Sequence, residues 1–157
     1  MPNVLLPAPH FRQSRDGACL PACVRVVLAY WGDLRDEAGL ARQLGTKRHG
    51  TPVSAVARVA LDRRYEVQLT SLTDTSLKTY LDRGVPVIAR VWTAMLSDWD
   101  VETSHVLVVV GYDETGVYVN DPAFDAYPLH VPWVAFLAAW AEFDETAVIV
   151  TKKATVS

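Results

Sequence analysis

Three features of the sequence predict an α+β fold. Helical apolar patterns fill the first half, β-branched runs of strand length follow, and one turn sequence joins two of those runs as a hairpin. Residues 1–15 are punctuated by Pro2, Pro7 and Pro9 and read as irregular, with 1–12 an arm lying on the domain. From Cys19 to Trp31 the pattern is apolar nearly all round, interrupted by Arg25, which predicts a buried central helix rather than a strand. Pro21 suits its first turn, where a missing N–H is not needed, and Gly17-Ala18 form the turn into it. Leu34–Leu44 reads as a short amphipathic helix stopped by Gly45, and Thr51 or Ser54 caps a third helix running to about Arg63. Tyr65–Thr70 alternates as a strand, and Asp74–Arg83 is a helix closed by Gly84. Strands are then expected at Val85–Val91, His105–Tyr112, Val117–Asn120 and Ala147–Lys152, with Asp113-Glu114-Thr115-Gly116 turning the second into the third. Pro132–Phe143, with Trp133 and Trp140 two turns apart, reads as a helix. Helices first and a mostly antiparallel sheet afterwards is the α+β order.

At 157 residues the chain has the length of one domain, taken as 1–157. Half of it is apolar and 21% is charged, a globular rather than a disordered composition. A net charge of −3, with no positive run beyond Lys47-Arg48-His49 and Lys152-Lys153, argues against a nucleic-acid partner. No apolar run reaches membrane-spanning length and the N-terminus lacks signal-peptide character, so a cytoplasmic chain without membrane insertion is expected. Oligomeric state has no signature in the sequence. His10, His49 and His130 share no ligand spacing, and neither a metal nor another cofactor is expected.

The two cysteines, Cys19 and Cys23, are too few for a disulfide scaffold or a zinc site, so an isolated Cys with a distant His reads as a candidate nucleophile. Cys19 stands at the start of the central helix, where free N–H groups and the macrodipole favour a thiolate. Cys23 lies one turn deeper and reads as a small core residue, a Cys19–Cys23 disulfide being the other option. His105 opens the most apolar strand, and Asp121 closes its hairpin partner. If Tyr112 pairs with Gly116, Asp121 falls opposite Leu107 on the face of His105; a slip of one residue reverses that face. The pairing therefore needs an odd loop or a compensating bulge. Asn120 or Asp113 are the other residues placed to orient the ring, and Asp121 also suits an Asp-Pro turn. Gln13, upstream of Cys19, is placed to donate to an oxyanion together with the Cys19 N–H. Gln, Cys, His and Asp together fit covalent acyl transfer.

The segment Gln13-Ser14-Arg15-Asp16-Gly17-Ala18-Cys19-Leu20-Pro21-Ala22-Cys23, running into Leu28-Ala29-Tyr30-Trp31-Gly32, resembles the active-site segment of the bacteriocin-processing peptidases. Those are papain-like cysteine peptidases that cut leader peptides after a double glycine. Ser104–Asp113 resembles their His strand and Val117–Ala123 their Asp segment. The resemblance implies a papain-like fold, Cys19 as nucleophile, His105 as base, Asp121 as orienting carboxylate and Gln13 as oxyanion donor. Relatives usually carry Gly after the nucleophile; Leu20 stands there instead, implying a narrower cleft and an altered substrate.

The expected function is that of a cysteine peptidase acting on peptide or protein substrates, leader peptides among them. An acyltransferase or transpeptidase using the same triad is the second reading, and a non-catalytic peptide-binding module the third. Leu20, Trp92 and Trp99 are the candidate substrate contacts. The Trp92–Ser104 connection, with Met95 and Leu96, reads equally as an apolar cleft wall or as a packed loop.

Overall fold

The computed structural model describes residues 2–154. Helix α1 (Cys19–Tyr30) forms over the apolar run, burying every residue from Leu20 to Val24 and from Val26 to Leu28. Its N-cap, Ala18, offers no side chain to the free N–H groups, and the first turn holds no acidic residue. Helix α2 (Glu37–Leu44) starts three residues later than the pattern suggests, because the Asp36 carboxylate accepts from Gly39 N–H at 2.6 Å and caps it there. The third segment is a 3-10 helix, Val53–Leu61, preceded by Pro52, so neither Thr51 nor Ser54 caps it. Val53, Val56 and Val59 recur every three residues, the 3-10 period, and Val56 and Val59 are fully buried. Their branching at Cβ also disfavours an α-helix.

Strand β2 (Tyr65–Ser71), helix α3 (Asp74–Asp82) and strands β3 (Val87–Trp92), β4 (Ser104–Tyr112), β5 (Gly116–Asn120) and β7 (Thr146–Lys152) fall where the sequence places them, within about two residues at each end. Helix α4 (Trp133–Ala141) is shorter than expected. Two strands lie outside the expectation. Val4–Leu5 forms β1 inside the arm read as irregular, and Leu129–Pro132 forms β6 on the sheet edge beside β5. Proline at the end of a short edge strand conceals the β pattern of the second. The order is β2-β7-β3-β4-β5-β6 with antiparallel neighbours, and β1 pairs with β4 beyond Val87, the first residue of β3.

Both faces of the sheet are covered, so β4 reads as one continuous apolar run rather than an alternation. Val106, Val108 and Val110, with Ile88, Val148 and Val150, pack on α1 and α2. Leu107 and Val109, with Ala89, Val91 and Ile149, pack on Leu77 and Leu81 of α3 and on Phe136 and Trp140 of α4. Among the described residues no helix is long and apolar enough to cross a membrane.

Candidate active site

The hairpin of β4 and β5 brings His105 to Asp121 by way of a bulge. Tyr112 pairs with Val117, leaving the four-residue turn 113–116, an even loop that would put Asp121 on the wrong face. A register shift between Val109 and Gly111 restores the parity: Val109 pairs with Val119 and Val108 with Asn120, which sets Asp121 against Leu107. His105 Nε2 and Asp121 Oδ1 are 2.7 Å apart, both side chains buried. Asp121 also accepts from Ala123 N–H at 3.0 Å and, through Oδ2, from the Trp99 indole N–H at 2.9 Å. The Trp99 ring lies 4.5 Å from that of His105, centroid to centroid, and meets Phe124 edge-on.

With Nε2 committed to Asp121, the other ring nitrogen of His105 is left for the hydrogen bond to Cys19, the first residue of α1. Burial alone would raise the Cys19 thiol. The hydrogen bond and charge of His105, with backbone hydrogen bonds from Val106 and Leu20, outweigh it, so the thiol titrates below its ordinary value. Burial likewise disfavours a charged His105. Hydrogen bonds to Asp121 and Cys19, and their charges, prevail and push the imidazole up to about 9. Opposite shifts of this kind stabilise a thiolate–imidazolium pair. Cys23 behaves otherwise: it is fully buried, its thiol faces Val106 O, and burial with the nearby Cys19 and Asp121 charges drives its titration far upward.

Gln13 is tied beside the same site by its backbone, which donates to Pro122 O at 2.7 Å, one residue past Asp121. Its Oε1 is buried without a hydrogen-bond partner among the described residues. The turn into α1 depends on Gly17, at φ +85°, where a Cβ would come within 2.9 Å of Arg48 O. That close approach sets residues 48–51 as one side of a cleft of about 540 Å³, bordered also by Gln13, Cys19, Arg90, Trp99 and His105.

The sequence profile of the Peptidase C39 like family matches residues 5–148. The chain belongs to this family. No curated protein sequence matches it. Among solved structures, a protein described as a C39-like peptidase from Bacillus anthracis is 19% identical with TM-score 0.78, covering 97% of this chain and 98% of that one. The peptidase domain of Streptococcus ComA, a bifunctional ABC transporter of a quorum-sensing pathway, is 20% identical with TM-score 0.73, covering 91% and 97%. A double-glycine-motif protease from an AMS/PCAT transporter, solved with its leader peptide, is 18% identical with TM-score 0.74, covering 96% of each chain. These likenesses show the fold of C39 papain-like peptidases.

Within this C39-like chain, Cys19, His105, Asp121 and Gln13 converge. Asn120 and Asp113 do not orient the ring. The Asn120 amide donates to Pro9 O and Ala8 O and pins the arm, while Asp113 accepts from Thr115, Gly116 and Tyr118 within the hairpin turn. Leu20 borders the cleft as well, but it is 1% exposed and most of its side chain packs in the core beneath. Trp92 ends β3 and is not among the residues bordering the cleft. Trp99 borders it, yet its firmest contacts are with His105 and Asp121. The Trp92–Ser104 connection is thus a packed loop that also supplies cleft wall, organised by buried Thr93, which accepts from Thr103 N–H at 2.8 Å. The position of a tryptophan just before the His strand was the only sequence signal for this contact, and it carries no information about the hydrogen bond to Asp121.

Proposed function

We propose that this C39-like protein is a cysteine peptidase with Cys19 as nucleophile, His105 as acid and base, and Asp121 as the carboxylate that holds the ring. The observation behind the reading is the Cys19–His105–Asp121 series at the start of α1, with Cys19 partly exposed, His105 and Asp121 buried, the thiol shifted down and the imidazole up. The Cys19 thiolate attacks the peptide carbonyl carbon and forms a C–S bond, while the carbonyl electrons move to oxygen. The oxyanion accepts from Cys19 N–H, free at the helix start, and from the Gln13 amide. His105 gives its proton to the departing nitrogen, the C–N bond breaks, and a thioester remains. Neutral His105 then takes a proton from water, the hydroxyl adds to the thioester carbon, and the collapse releases the acid and restores the thiolate.

The AMS/PCAT protease, solved with a leader peptide, directs attention to leader peptides as substrates. The test is incubation with a mixed peptide library and identification of the products by mass spectrometry. Hydrolysed fragments from the parent chain and none from Cys19→Ala support the reading. Equal fragments from both overturn it, and products joined to an added amine in preference to water would make the protein an acyltransferase.

A further inference from the structure

We infer that Arg90 forms a subsite for an acidic side chain of the peptide, a deepening that rests on the peptide-cleaving reading of the same cleft. Arg90 sits opposite Val106 in the β3–β4 ladder, and Arg90, Val106 and Cys19 border the same cleft. Its guanidinium is held in place from two sides. Nε donates to Ser104 Oγ at 3.2 Å, and the guanidinium carbon lies 3.9 Å over the Phe143 ring centroid. The terminal nitrogens have no hydrogen-bond or ion-pair partner among the described residues. A planar fork fixed at Nε and by stacking, with its two ends unused, matches a carboxylate in bidentate geometry. Arg90 borders both the catalytic cleft and a groove that continues past Val53 and Leu69, where an extended peptide leaving Cys19 would run. Leu69 is 47% exposed in that groove. Arg48 borders the cleft as well, so its charge adds to that of Arg90, and among the described residues Asp16 is the one carboxylate on its border. A substrate with Asp or Glu at the residue facing Arg90 satisfies these groups; one with Lys or Arg meets repulsion.

The experiment uses the Cys19→Ala chain, which needs no turnover, as bait for a displayed random-peptide library. Parallel selections use Cys19→Ala combined with Arg90→Gln or with Arg90→Glu, and circular dichroism confirms that each variant is folded. The expected result is enrichment of Asp or Glu at one position, a loss of roughly ten- to hundred-fold in affinity for those peptides with Arg90→Gln, and a switch to Lys or Arg with Arg90→Glu. Peptides without acidic enrichment, no bound peptides, or the same acidic preference in all three proteins overturns the proposal. Because selection reads binding alone, acidic enrichment with no cleavage by the parent chain would uphold the subsite and defeat the peptidase reading.

Discussion

His105 is buried, yet its imidazole is pushed up to about 9, because Asp121 and Cys19 outweigh the desolvation that opposes its charge. The sign of the linkage follows. A raised histidine contributes stability that is fully present below its ordinary pKa of about 6.5 and is lost as pH rises through about 9. The lowered Cys19 thiol contributes stability above its ordinary value and loses it as pH falls through the depressed one. The charged pair therefore persists between the two folded-state values. Peptide hydrolysis is predicted to rise at a pH below the ordinary thiol range and to fall near pH 9, measured as kcat/KM against pH. Replacing Asp121 with Asn removes the charge and moves the alkaline limb down toward about 6.5 with a large loss of kcat. Trp99 acts through Asp121 and is a positioning residue. Trp99→Phe keeps a ring beside His105 but removes the donor to Oδ2 at 2.9 Å, and a hydrogen bond to a charged group is worth about 1.5–3 kcal/mol. The predicted effect is a loss of about ten-fold or more in kcat with KM little changed, and an unaltered kcat would remove Trp99 from the account.

At the level of elements, the β4–β5 hairpin decides whether the triad can exist. Its even turn and its bulge each reverse the face of Asp121, and together they cancel. The parity requirement was legible in the sequence; the means of meeting it was not, since a bulge among consecutive valines leaves no mark on the residue pattern. The arm was legible only as proline-rich, because two-residue β1 is too short for periodicity and its pairing is with a distant strand. Gly111 permits that pairing, since a Cβ there would lie within 3.0 Å of Leu5 Cα and closer still to Val4 O. Gly111→Ala is predicted to displace β1 at a cost of about 1–3 kcal/mol, a fall of several degrees in Tm for a domain of this size. Faster trypsin cleavage at Arg12 or Arg15 should accompany it, together with reduced turnover, because the arm carries Gln13.

Across the whole molecule, the sheet is a wall between two cores, and α1 presses Cys19 toward the rim where the His105 strand begins. The helix–sheet order and α1 were readable because long apolar runs report burial directly. The 3-10 segment and β6 were not, because short elements follow their tertiary neighbours more than their own pattern. Leu28 is fully buried in the α1 core, whereas Leu34 is 82% exposed. Leu28→Ala should cost about 2–5 kcal/mol in urea unfolding and Leu34→Ala less than about 0.5 kcal/mol. The two cysteines express the same division, one at the rim and one in the core. The most direct test of the central claim is the rate of iodoacetamide alkylation of the native protein against pH, with each modified cysteine located by mass spectrometry. Cys19 is predicted to react with a midpoint below that of free cysteine, while Cys23 stays unmodified until the chain unfolds. Labelling of Cys23 in the folded protein, or a Cys19 midpoint equal to that of free cysteine, would contradict it.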